Sequence, residues 1–159
     1  MSAGPLKVVR ATGRRGIEQF LEAGYRLREL DAFFVPPPRS DMRKLLDRDK
    51  HPFHQHAQVD YFLALRGGEV VGRIAAIENY AHNDYHNERI AFFGFLDVDY
   101  KEGEEVFAAL LGRVERWAGK RGLTEVRGPC SFSTNEEVGL LINAFQTPPV
   151  VMSTWNPPN

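Results

Sequence analysis

The stretch "VDYFLALRGGEVVGRIAAIENY" (59–80) decides how this chain is read. It holds two apolar, β-branched and aromatic runs on either side of Gly67-Gly68. Such residues suit a pleated, half-buried surface, and a Gly-Gly pair supplies the positive φ angles of a tight turn. The stretch therefore predicts a β-hairpin. After it, "AHNDYHNE" (81–88) reads as a loop, and "RIAFFGFLDVDY" (89–100) as a third strand, apolar enough to be central. "EGEEVFAALLGRVERWAGKRG" (102–122) predicts a helix. Its buried stripe is Val106, Ala109, Leu110, Val114 and Trp117, and Gly122 stops it. "LTEVRGP" (123–129) follows as a strand, parallel to the third one because a crossover helix joins them.

Before the hairpin, "LKVVRAT" (6–12) reads as a first strand. "IEQFLEAGYRLREL" (17–30) sets Ile17, Phe20, Leu21, Tyr25, Leu27 and Leu30 near helical spacing. The prolines of "DAFFVPPPRSD" (31–41) break that helix. "SDMRKLLDRDK" (40–50) predicts a short second one, capped by Ser40 or Asp41, and "HPFHQHAQ" (51–58) a polar connector. Near the other end, "STNEEVGLLINAF" (133–145) carries a helix-start signature, with Ser133 or Thr134 as cap and Glu136 or Glu137 in the first turn. Val150–Trp155, fenced by prolines, reads as a last strand. The predicted order is β-α-α-β-β-β-α-β-α-β, a mixed central sheet flanked by helices.

The totals narrow the function. The 159 residues fit one domain with a real core. A net charge of −1 argues against nucleic acid or an anionic membrane as partner. No apolar stretch has membrane-spanning length. The basic residues near the start lack the apolar middle of a signal peptide. A single cysteine, Cys130, excludes an internal disulfide, so a cytoplasmic setting is expected.

The element order and several stretches together resemble a known family. "GGEVVGRIAAIENYAHN", "FFGFLDV", "VRGPCSFSTNEEVGLLINAF" and "TPPVVMSTWNPP" are similar to the bacterial ceramide-synthase-like branch of the GNAT acyltransferase superfamily, and "VPPPRSDMRKLLDRDKHPF" fits it too. The resemblance covers nearly the whole chain. It implies an α/β GNAT-like fold over 1–159, as the N-terminal portion of a longer protein. It implies transfer of an acyl group from acetyl-CoA or a longer acyl-CoA to an amine, of sphingoid type in this branch. No metal is implied. The tyrosine general acid that many GNAT enzymes carry on their last helix has no counterpart here.

By that resemblance, the backbone of Phe95, Leu96, Asp97 and Val98 would pair with the pantetheine arm, and Gly103 would open the pyrophosphate loop. The residues around Gly103 complicate this. "DVDYKEGEEV" (97–106) has one glycine, and Asp97, Asp99, Glu102, Glu104 and Glu105 face only Lys101. Carboxylates suit a helix N-terminus but repel a pyrophosphate there. The acids therefore read first as caps. If CoA is kept, Arg113, Lys120, Arg121 or residues outside this chain would take its phosphates. The alternative is a non-catalytic binding or dimerising module, or an inactive fragment.

"SFSTNEEVG" (131–139) is the richest polar constellation. One Ser or Thr and one Glu suffice for a cap, and "STNEE" offers more. It would lie at the end of a sheet strand, where open α/β sheets bind ligands. Asn135 would then orient a carbonyl, and Glu136 or Glu137 would take the amine proton. The five histidines, in "HPFHQH" (51–56) and "HNDYH" (82–86), read as polar surface rather than a zinc set. Cys130 reads as a small buried residue rather than a nucleophile, having no visible base. The phenylalanines of "IAFFGFL" with Phe33, Phe34 and Phe53 read mostly as core, and would also suit an acyl-pocket wall. An exposed edge at 150–155 would favour a homodimer.

Overall fold

The predicted hairpin forms. In a computed structural model that describes residues 4–150 and 153–158, β2 (Ala57–Arg66) and β3 (Glu69–Asn79) run antiparallel on either side of Gly67 and Gly68. Both glycines have positive φ, 59° and 88°, as the turn demands. β1 (Leu6–Ala11) pairs with the outer edge of β2, and β4 (Ile90–Val98) with β3, all antiparallel. β5 (Glu125–Arg127) joins β4 in parallel, as the crossover helix requires. The sheet order is β1-β2-β3-β4-β5.

Two helical layers cover this sheet. α1 (Gly13–Leu27) and α2 (Arg39–Leu46) lie on one face. Phe20 and Leu21 of α1 meet Tyr61, Leu63, Ile77 and Phe95 there. α4 (Gly103–Lys120) lies on the other, burying Val106, Leu110 and Val114 against Phe62, Ile74 and Phe93. Alternate strand residues therefore feed two separate cores. Gly122, at φ 71°, ends α4 as expected.

Several local expectations need correction. α1 stops at Leu27, so Leu30 falls beyond it and is 74% exposed. α2 has Pro38 as N-cap residue and no side-chain cap, in place of Ser40 or Asp41. Proline at that point presets the backbone for helix entry without a side-chain acceptor. The connector at 51–56 contains a 3-10 turn, Pro52–Gln55, which buries Phe53. The loop at 81–88 is a helix, α3 (Tyr80–His86). Asn79 caps it by accepting the His82 N–H at 3.1 Å, and Asn87 closes it in the left-handed region. Buried Asn83 clamps the Ile90 main chain at 3.0 and 3.2 Å. Asparagine at both ends and in the middle therefore builds a helix from a loop-like composition.

The largest correction falls on 133–145, which is not helical. β6 (Cys130–Ser131) pairs with β7 (Glu137–Val138) as a small ribbon around a turn. The capping bonds do form. The Glu136 Oε2 accepts from the Ser133 N–H at 3.0 Å and its Oγ–H at 2.5 Å, while the Asn135 N–H donates to Ser133 Oγ at 3.2 Å. Helix growth then fails because the Val138 backbone is committed to Cys130 and Gly139 sits at φ 91°. One capped turn is too short a nucleus to persist alone. Of the expected last strand at 150–155, residues 151 and 152 lie outside the described residues. Ser153 makes a single parallel bridge to Val138.

Candidate active site

Strand β4 changes register against β3 at one point. Arg73 pairs with Asp97 and Ala75 with Gly94, so Phe95 and Leu96 together face Ile74. This is a β-bulge, whose extra residue leaves the ladder. Phe95 has φ 49°, a strained conformation for a bulky residue. Its N–H donates across to Ser131 Oγ at 2.9 Å. The strand is pressed against β6 here. A Cβ at Gly94 would overlap the Cys130 carbonyl, so only glycine lets the two backbones approach this closely.

The bulge lines a pocket of about 240 Å³ between α1, α2, β4 and the segment beyond Pro129. Its apolar wall includes Leu21, Phe34, Met42, Leu45 and Phe95. Its polar side includes Arg28, Arg73, Asp97, Glu136 and Glu137. Phe95, Leu96, Asp97, Glu136 and Glu137, all singled out from the sequence, therefore meet around one space. Asn135, Val98 and Gly103 are not among its lining residues. Asn135 is exposed on the turn, and Val98 packs into the α4-side core. The two glutamates differ. Glu136 is held by Ser133, whereas Glu137 is exposed and its carboxylate has no hydrogen-bond or ion-pair partner among the described residues.

The acidic loop is less bare than the sequence suggests. Asp97 accepts from Arg73 Nε at 2.6 Å, with Arg28 at 3.8 Å. Arg66 of β2 reaches Glu102 at 2.7 Å and Glu105 at 2.5 Å. Asp99 accepts the Lys101 N–H at 3.0 Å. Distant strands thus supply arginines that local reading could not see. Gly103, at φ 58°, turns the chain into α4, with open space where a side chain would stand. Arg113 stacks over Phe62 at 5.0 Å. Lys120 and Arg121 lie at the far end of α4, on the order of 25 Å from Gly103 by helical rise. Arg121 is bound to Glu78 at 2.6 Å.

The wall beyond Pro129 is tied shut by the "NPP" motif. Asn156 Oδ1 accepts the Leu141 N–H at 2.7 Å, and its Nδ2 donates to the Leu141 carbonyl at 3.2 Å. Trp155 donates from Nε1 to the Phe145 carbonyl at 2.8 Å, and its ring stands edge-on to Phe33. Arg28 Nη2 donates to the Trp155 carbonyl at 3.2 Å. Asn156→Ala removes both bonds to Leu141, at about 1 kcal/mol each. Limited proteolysis should then cut within 141–156 well below the global unfolding temperature, where the parent chain resists.

Cys130 is buried, its thiol pushed up to about 11 by burial, with the Glu136 charge adding to the shift. At neutral pH it stays a thiol and not a nucleophile. Among the described residues, no group of three His, Cys, Asp or Glu is placed to hold a metal ion. His82 and His86 do share a helix, with rings 4.4 Å apart, and His82 is bonded to Glu88 at 3.0 Å. Among the described residues, no helix is long and apolar enough to cross a membrane.

No family model matches the chain. Two curated relatives do. It is 34% identical over 142 residues to a bacterial ceramide synthase of Caulobacter vibrioides, covering 89% of this chain and 36% of that protein. It is 33% identical over 128 residues to protein YghO of Escherichia coli K12, covering 80% of this chain and 32% of that one. The chain spans about a third of the length of these relatives. Among solved structures, the aminoglycoside N-acetyltransferase AAC(6')-Iy in complex with CoA superposes with TM-score 0.57 at 16% identity, covering 80% and 78% of the two chains. This chain has a GNAT fold, and its sequence is similar to that bacterial ceramide synthase over most of its own length. The same fold appears in the tandem GNAT protein of the clavulanic acid pathway, with TM-score 0.56, 22% identity and coverage of 74% and 34%. It appears again in the metagenomic aminoglycoside acetyltransferase meta-AAC0020 in complex with sisomicin, with TM-score 0.52, 20% identity and coverage of 79% and 77%. The solved structures, all at 22% identity or less, carry the fold.

Proposed function

We propose that this GNAT-like domain binds acyl-CoA and an amine acceptor, and moves the acyl group to the amine nitrogen. The observation that carries this is the β4 bulge: Phe95–Asp97 and Glu136–Glu137 face one pocket, so a thioester seated along β4 would lie beside a carboxylate. In this reading the amine nitrogen attacks the thioester carbonyl, the C–S bond breaks, and CoA leaves as a thiolate. Glu137 takes the amine proton. It is the unpartnered carboxylate of the pocket, whereas Glu136 builds the turn that presents it. Asn135, exposed on the turn beside the pocket lining, orients the thioester carbonyl in this reading.

The CoA-bound state of AAC(6')-Iy supports acyl-CoA as co-substrate. The N-terminus of α4, entered through Gly103, offers main-chain N–H groups to the phosphates. Arg66 offsets two of the acids there. The apolar wall and the name of the Caulobacter relative support a sphingoid-type amine as acceptor. A single buried thiol fits a cytoplasmic setting. The second reading, a non-catalytic or dimerising module, is favoured by Asp99 and Glu104, which have no arginine partner among the described residues.

A thermal melt with and without CoA and a long-chain acyl-CoA separates the two. A ligand at a hundred times its Kd stabilises the fold by about 2.7 kcal/mol. For a domain of this size that raises Tm by roughly 5–10 °C. A cooperative melt that does not move favours the module, and light scattering then tests for a dimer.

A further inference from the structure

We propose that Arg73 is a positioning residue that locks the β4 bulge through Asp97, a role that rests on the reading of the pocket given above. Among the described residues Arg73 is the one buried arginine, at 7% exposure. Its Nε donates to Asp97 Oδ2 at 2.6 Å, and its Nη1 to the Phe20 carbonyl at 3.0 Å. Its guanidinium sits 4.9 and 5.8 Å from the ring centroids of Phe20 and Phe95. Helix α1 makes room for it with Gly24, where a Cβ would fall inside the guanidinium.

Each of these choices is unfavourable alone. Burying an arginine among phenylalanines carries a desolvation penalty, and glycine weakens a helix. They converge on the first β3–β4 pair past the bulge, Arg73 opposite Asp97. Side chains alternate faces along a strand, so a slip of one residue would turn Asp97 to the α4 side, away from Arg73. The ion pair can therefore form only while Phe95 and Leu96 share Ile74 as partner. Fixing a register is the best-attested use of a buried charge. Here the fixed register is the one that sets Phe95 and Asp97 against the pocket.

The test combines two readouts. Amide hydrogen exchange across 94–98 is followed in the ligand-free protein, and acetyl-CoA affinity is measured by calorimetry. Arg73→Met should speed exchange at these amides about tenfold or more while the buried β2 ladder at 59–64 stays protected, and should weaken acetyl-CoA binding by a similar factor. Arg73→Lys, which keeps the charge but cannot serve Asp97 and the Phe20 carbonyl together, should fall between. Gly24→Ala, which displaces the guanidinium without altering β4, should speed the same amides. If Arg73→Met does not melt cooperatively, Asp97→Asn, which keeps the side-chain shape, carries the same two measurements. Unchanged exchange at 94–98 overturns the lock. Faster exchange with unchanged affinity overturns its link to the pocket. A parent protein that does not bind acetyl-CoA overturns the reading of the pocket itself, and is recognised because it precedes any substitution.

Discussion

Glu137→Gln should lower kcat/KM for acyl transfer at least about 100-fold, the low end for loss of a general base. The substitution is nearly isosteric, and Glu137 is exposed with no hydrogen-bond partner for its carboxylate among the described residues, so the melting temperature should stay unchanged. Glu136→Ala should behave in the opposite way. It breaks the bonds from the Ser133 N–H and Oγ–H, worth roughly 1–2 kcal/mol together, and should lower Tm more than it lowers turnover. The contrast matters because both glutamates line the pocket, and only their partners tell them apart. Steady-state kinetics with melts of the same two preparations decide it. Equal, small effects on turnover would move the base elsewhere.

Gly94→Ala should be the most damaging single-methyl addition in the chain. The new Cβ would meet the main chain of Cys130, which no side-chain rotation can relieve. Overpacking of this kind costs about 3 kcal/mol or more. In a domain of this size that lowers Tm by roughly 6–12 °C. Gly119→Ala is the control. Its Cβ would enter open space on α4, and it should raise stability by about 0.5–1 kcal/mol through helix propensity. Differential scanning calorimetry reads both. A Gly94→Ala protein that melts like its parent would mean that β4 and β6 part easily, leaving the pocket without the wall described above.

What could be read from the sequence was carried by local chemistry. The Gly67-Gly68 turn, the apolar stripe of α4 and its stop at Gly122 depend on neighbours a few residues away, and the parallel return of β5 follows from the crossover helix between the two strands. That 95–97 and 136–137 line one pocket is visible only in the fold, since the sequence offers them as two separate stretches. The two largest failures share a physical source. The Ser133–Glu136 bonds are those of a helix start, but the backbone of Val138 belongs to Cys130, and tertiary pairing overrides the local signal. The acidic loop looked unopposed because Arg66, Arg73 and Arg28 come from other elements. Arg73 itself gives one faint clue, a charge in the apolar middle of its strand. Its glycine partner on α1 could not be paired with it without the fold.

The strand β1 has a consequence for how this protein comes into being. It precedes its partner β2 by the whole of α1 and α2, and Leu6 finds Arg66 only across that span. The β2-β3-β4 meander can close by short-range zipping, whereas β1 must wait. A growing chain thus carries an unpaired strand at least until α1, α2 and β2 have been made. Even when docked, β1 remains at the margin of the sheet. Its composition answers both hazards. Lys7 and Arg10 interrupt the apolar run, and charge on a free margin discourages a stranger's strand from adding to it. Arg10 is then claimed by Asp60 at 2.6 Å, so a residue that guards the waiting strand also helps to fasten it on arrival.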